Sequence, residues 1–289
     1  MKQSLSDILK LGKLSISLPV GITAYTGYSL FEGRISWFGL IPLVGIMFLS
    51  ASASAINQIQ ERKADAKMIR TRNRPIPSGR MTLRKAISVS VLFWLTGTLL
   101  LSMTTVEGLL WGWTGMAWYN LVYTPLKKVT AFSVFPGALV GAIPPVAGWM
   151  AAGGSLFDPR LHFLALFFFL GQMPHFWLLV IKYGKDYKKG GFPTLYDYFT
   201  NNQIDRINLV WFVATFVTAI LLPINHVLNG NSLSIILMLL SVSMIFWVIN
   251  IFIRKKNISG EYGLRRLFVG FNSYYLIVMI LISLDQINW

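Results

Sequence analysis

Apolar positions fill most of the chain in runs of about 20 residues, and short polar stretches separate them. A run of that length matches a helix crossing the hydrocarbon core of a bilayer. Nine such segments are predicted, at roughly 12–31, 36–56, 86–104, 107–124, 131–152, 160–181, 208–228, 232–253 and 266–285. The pattern therefore predicts an all-α membrane protein, a bundle of about nine transmembrane helices. Residues 1–289 read as a single transmembrane domain with polar loops at about 57–85, 123–130 and 182–207. No short apolar core with a small-residue cleavage site opens the sequence, so the first span is expected to be retained.

Composition agrees with this picture: 54% of residues are hydrophobic and only 13% are charged. The net charge of +15 would suggest nucleic acid in a soluble protein, but its placement argues otherwise. With the N-terminus placed in the cytoplasm, the inner segments hold three, nine, two, five and five Lys and Arg, together 24 of the 26. The last of these groups is Arg254, Lys255, Lys256, Arg265 and Arg266, and only Arg34 and Arg160 fall outside the inner segments. This bias predicts a cytoplasmic N-terminus, an outside C-terminus and charged loops on the cytoplasmic side of the cell (inner) membrane. It accounts for the basic balance with no nucleic-acid partner. The absence of Cys excludes disulfides, thiol catalysis and a cysteine metal site.

The densest polar stretch runs from Asn57 to Pro75. Asn57, Glu61 and Asp65 stand four residues apart and share one helix face. Oxygen ligands at that spacing suit Mg²⁺, which binds through a few carboxylates together with substrate phosphates. Arg70, Arg72 and Arg74 follow, and their guanidinium groups match phosphate oxygens. A solvated loop serving only to set orientation would carry similar charge. A second cluster, from Lys182 to Pro193, includes Lys185, Asp186 and Tyr187. A third contains Tyr123 and Lys127, which share a helical face if the helix continues, although Pro125 is expected to interrupt it. His175 is an ionisable residue inside an apolar span, a place where such residues commonly serve function. Gly137, Gly141 and Gly148 predict close helix packing, while Arg80, Arg84 and Lys85 read as orientation charges alone.

These stretches resemble the UbiA superfamily of intramembrane prenyltransferases, and within it most closely the haem O synthases. The likeness is carried by Asn57, Glu61, Asp65, Met68, Arg70, Thr71, Arg74 and Pro75 with Ser78, Gly79 and Arg80 behind them. It continues in Tyr123 to Lys128, in Gly141, Ala142, Pro144, Pro145, Gly148 and Trp149, and in Gln172 to Phe176 with Lys185 to Tyr187 and Phe192-Pro193. The resemblance covers about residues 50–200. It implies a transmembrane prenyltransferase that moves a farnesyl group from an allylic diphosphate to protohaem IX, giving haem O. It implies Mg²⁺ on Asn57, Glu61, Asp65 and Asp186, with Tyr123 and Lys127 also at the catalytic centre. Arg70, Arg74, Lys182, Lys185, Tyr187, Gln172 and His175 would contact the substrates. Gln58 and Glu61 stand where the superfamily carries Asp. Lys63 is expected to place a positive charge beside the metal, and Gly171, where Trp is common, to enlarge the pocket. A related enzyme acting on a quinone precursor, chlorin or lipid remains open, as does a membrane transporter.

Overall fold

A computed structural model describes residues 2–254 and 261–287, and among these the regular structure is helical, with no strand. Lys255 and Lys256 lie outside the described residues. The elements are α1 (Lys2–Leu11), α2 (Leu14–Glu32), α3 (Leu40–Asp65), α4 (Leu83–Leu101), α5 (Val106–Ala117), α6 (Thr124–Leu126), α7 (Val134–Ala151), α8 (Pro159–Lys189), α9 (Asn201–Ile224), α10 (Asn231–Arg254) and α11 (Glu261–Leu284). Among the described residues, seven segments are long and apolar enough to cross a membrane: Trp37–Asp65, Leu83–Leu101, Ala131–Ala151, Pro159–Lys189, Asn201–Ile224, Asn231–Ile253 and Gly263–Leu284. The first and fourth predicted spans fall on α2 and α5, which are not among the seven. Ser, Thr and Gly dilute the apolar character of α2, and the α-helical part of α5 is only 12 residues.

The chain stays helical where Pro125 was expected to break it. α5 passes into a π-helical stretch, Trp118–Tyr123, and then into the single turn α6. Pro125 sits in the first turn of α6, where its missing N–H costs nothing. The Lys127 N–H donates to the Tyr123 carbonyl at 3.0 Å, which brings these two residues onto one side. The π-helical stretch is fastened to α3. Asn120 Nδ2 donates to the Ala53 carbonyl at 3.0 Å, and Gln60 Nε2 donates to the Asn120 carbonyl at 3.0 Å.

From α2 onward the longer helices pack in chain order, with α5 meeting α7 past the short α6; α1 lies against α3, α2 also against α7, and α11 returns to α2 and α8. Phe167, Phe212, Phe216 and Phe271 form an aromatic core on the α8–α11 side. Lipid tails are as apolar as such side chains, so tight packing rather than burial from water holds the bundle together. The closest approach is between α2 and α7. A Cβ on Gly27 would stand 1.9 Å from the Pro145 carbonyl oxygen, and one on Gly148 would stand 1.8 Å from that of Ala24. Both contacts are with backbone, which cannot swing aside. Gly148→Ala is expected to destabilise the fold by roughly 1–3 kcal/mol, read as a lower thermal midpoint in detergent. An unchanged midpoint would show that the two helices separate without cost.

The sequence marks the segment before the first span only as the inner-side carrier of three basic residues, and the structure makes it the helix α1. Leu5, Ile8 and Leu11 give it an amphipathic face. Gln58 Nε2 donates to the carbonyls of Lys10 and Leu11 at 3.0 and 2.7 Å. Arg80 pairs with the buried Asp7 at 3.1 Å and donates to the Asn73 carbonyl at 2.7 Å. Arg80 is therefore a tie between α1 and the arginine loop, not merely an orientation charge.

Candidate active site

A cavity of about 310 Å³ lies between α2, α3, α5, α7 and α8. Its inner walls are apolar, including Ile46, Leu49, Trp111, Met116, Ile143 and Pro144. Its mouth is polar, and there Asn57, Glu61 and Asp65 project from the last turns of α3. All three are buried, and Asp65 is 0% exposed. Asn57 Nδ2 donates to Thr124 Oγ1 at 3.1 Å, an orientation that leaves the amide oxygen available to a cation. Glu61 meets Lys127 Nζ at 2.7 Å from Oε1 and 2.8 Å from Oε2. Asp65 Oδ2 accepts from Arg74 Nη1 at 2.7 Å.

The polypeptide after α3 folds back over the mouth. Thr71 Oγ1 donates to the Asp65 carbonyl at 3.0 Å, capping the helix end with its own tail. Asp186 anchors the same loop, since its two carboxylate oxygens accept from the Ile69 and Arg70 amides at 2.8 and 2.9 Å. Arg70 lies over the rings of Tyr183 at 4.9 Å and Tyr187 at 5.8 Å. Lys127 lies over Phe192 at 5.2 Å and Tyr123 at 5.8 Å. Residues from three polar loops thus converge on one end of the cavity.

Most of the predicted residues meet at this cavity: Asn57, Glu61, Asp65, Arg70, Arg74, Tyr123, Lys127, Gln172, His175 and Tyr187 all line it. His175 sits deeper, packed against the Phe268 ring at 5.1 Å. Lys182 and Lys185 are exposed and do not line it. Asp186 does not line it either, and both of its oxygens are committed to the loop. Among the described residues no three Asp, Glu or His side chains form a metal-holding group. Lys63 is exposed and absent from the cavity wall, so it places no charge beside Glu61 and Asp65. Gln58 faces α1. Gly171 does not enlarge the pocket, because Tyr275 fills the space: a Cβ there would meet the Tyr275 hydroxyl at 1.6 Å.

Tyr119 and Lys13 are cavity residues that the motifs do not single out. Tyr119 lines the wall one turn before Tyr123, with the two rings 5.5 Å apart, a spacing already visible in the sequence. Lys13 reaches the mouth from the break between α1 and α2, held in the left-handed region at φ 45° and ψ 49°. That conformation is costly for a residue with a side chain. Burial first, and then the charges of Arg74 and Lys127, lower the Lys13 ammonium pKa to about 7. The mouth carries Lys13, Arg70, Arg74 and Lys127 against Glu61 and Asp65, an excess of positive charge that suits a polyanion.

The comparisons with known proteins agree with this geometry. The UbiA prenyltransferase family model matches residues 20–270. A protoheme IX farnesyltransferase of Christiangramia forsetii is 33% identical over 292 residues, covering 98% of this chain and 94% of its own. One from Oleidesulfovibrio alaskensis is 37% identical over 206 residues, covering 71% of this chain and 73% of its own. A solved UbiA homologue from Archaeoglobus fulgidus bound to DMAPP and Mg²⁺ has the same fold, with a TM-score of 0.70 at 14% identity, covering 97% of this chain and 99% of that one. The chain is a multi-pass membrane protein and a prenyltransferase, and it belongs to the UbiA prenyltransferase family.

Proposed function

We propose that this protein transfers a farnesyl group from farnesyl diphosphate to protohaem IX, giving haem O and diphosphate. The observation that carries this reading is the layout of one cavity. Acids and cations sit together at its mouth, and an apolar limb suited to an isoprenoid tail runs inward from them. The names of the relatives supply the acceptor.

The mouth fits a hard cation. The buried Asp65 Oδ1 has no hydrogen-bond partner, and Asn57 and Glu61 add oxygen donors on the same helix face. These three residues would hold Mg²⁺, while Asp186 would position the loop carrying Arg70 rather than coordinate. Bound there, Mg²⁺ would supply charge neutralisation to the diphosphate. Arg70, Arg74, Lys127 and Lys13 face the developing negative charge on the leaving diphosphate and stabilise it. Tyr123, Tyr119, Phe176 and Trp111 offer ring faces to the allylic cation, and the apolar limb keeps water from quenching it. The prenyl carbon–oxygen bond breaks with its electron pair leaving on the diphosphate, a vinyl carbon of the acceptor bonds to the prenyl carbon, and the neighbouring vinyl carbon takes hydroxyl from water, whose proton passes to the released diphosphate. Gln172 and His175, deeper on α8, contact the substrates, and Tyr187 closes the mouth beside Arg70. Lys182 and Lys185 serve the approach of the anion from outside.

Residues 1–289 act as one domain with nine spans, a cytoplasmic N-terminus, an outside C-terminus and the site facing the cytoplasm across the cell (inner) membrane. The support for this is the distribution of Lys and Arg along the sequence. An acceptor panel separates the possibilities. Diphosphate release with farnesyl diphosphate is expected with protohaem. Product from a quinone precursor and none from protohaem would move the reading to another acceptor, and no release with any acceptor would favour transport.

Lys13 adds a pH test. Its pKa in the fold lies below the ordinary value of 10.5, so the fold binds this proton less tightly than the unfolded chain does. The resulting cost to stability is absent above about 10.5, grows as pH falls and is complete below about 7. Lys13→Met is therefore expected to stabilise the substrate-free protein more at pH 6 than at pH 10 while raising KM for farnesyl diphosphate. Equal thermal shifts at both pH values would show that Lys13 is solvated.

A further inference from the structure

Beside the cavity mouth a second, wider groove of about 720 Å³ runs between α1 and the arginine loop. It shares Lys13, Ile16, Arg70 and Arg74 with the cavity, so the two spaces meet along one wall. Its lining includes four cations (Lys10, Lys13, Arg70 and Arg74) and no carboxylate. Leu9, Leu14 and Ile16 form an apolar strip between them, and Leu9 and Ile16 are exposed. The groove is also braced. Gln58 holds the end of α1, and the Arg80 contacts with Asp7 and the Asn73 carbonyl tie α1 to the loop.

We infer that this groove seats the acceptor as a flat, apolar, dianionic molecule, with its carboxylate end at Lys10, which lines the groove and not the cavity, and its reactive edge turned toward the cavity. The inference rests on the protohaem reading above. The cavity's apolar limb is taken up by the prenyl tail, so a macrocycle needs a separate surface that opens onto the same mouth. An apolar strip between cations and without acids complements a porphyrin face carrying two propionates. Desolvating such a dianion is tolerable only where cations meet its carboxylates. The shared residues Lys13, Arg70 and Arg74 place the diphosphate and the acceptor on two sides of one cationic wall.

Lys10 separates the two substrates, because it lines the groove and not the cavity. Its side chain is exposed, and its structural contact is through its backbone carbonyl, so reversing its charge leaves the fold intact. The test uses the full-length protein in detergent. Tryptophan quenching reports binding of protohaem and of its dimethyl ester, and KM is measured for each substrate. Lys10→Glu is expected to weaken protohaem binding about tenfold, to leave binding of the uncharged dimethyl ester unchanged, and to leave KM for farnesyl diphosphate within about twofold. Unaltered protohaem affinity in Lys10→Glu would overturn the groove assignment, and so would an equal loss for farnesyl diphosphate or for the ester. If wild-type protein binds no protohaem, the acceptor reading itself fails, a result distinct from insensitivity to Lys10.

Discussion

Asp65→Asn is expected to lower prenyl transfer by at least about a thousandfold, because it removes the charge at the most buried point of the mouth. Asn has nearly the shape of Asp, and its oxygen can still accept from Arg74. What is lost is the charge that balances Arg74 and that, on the proposed function, would draw a divalent ion to the unpartnered Oδ1. Glu61→Gln is expected to act in the same direction, one turn earlier on the same face. The measurement is turnover with saturating farnesyl diphosphate, protohaem and Mg²⁺, paired with thermal unfolding to show that each variant is folded. Wild-type rates in either folded variant would remove the metal assignment.

Lys127→Ala should produce the second large loss, about 10²–10³-fold in kcat. The ammonium now sits between the Glu61 carboxylate and the rings of Tyr123 and Phe192. On the proposed function it would face the charge that builds on the departing diphosphate, which places its expected effect in the transition state. Truncation also leaves Glu61 buried without its cation, which costs stability. Lys127→Arg keeps the charge and is expected to recover a substantial part of the rate. A change confined to KM for the acceptor would assign Lys127 to binding alone.

Much of this site is legible in the sequence because its central part is local. Asn57, Glu61 and Asp65 lie on one helix face by spacing alone, and α3 does run through them. The same periodicity explains two corrections. Gln58 is about 100° and Lys63 about 200° around the helix from Asn57 and Glu61 respectively. Their substitution relative to the superfamily pattern therefore leaves the cavity wall unaltered. Tyr123 and Lys127 stay together because a π-helical stretch and a first-turn proline keep the chain helical, a local solution that proline counting does not reveal. Other features depend on contacts across the chain. Tyr275 fills the space beside Gly171 from more than a hundred positions away, its hydroxyl donating to the Phe167 carbonyl at 2.9 Å. Asp186 looks like a ligand by composition, yet it is committed to amides of a loop that precedes it by 116 residues. By sequence Lys13 is one inner-side charge among 26 basic residues, and only the left-handed break between α1 and α2 brings it to the mouth.

Mass analysis of the haem product decides whether this protein farnesylates protohaem. Purified protein is incubated with Mg²⁺, farnesyl diphosphate and protohaem, alongside Asp65→Asn and a sample with the metal chelated. A hydroxyethylfarnesyl haem is expected from the wild-type protein with Mg²⁺ and none from the other two. Unmodified protohaem in all three samples, or equal product in all three, would contradict this expectation.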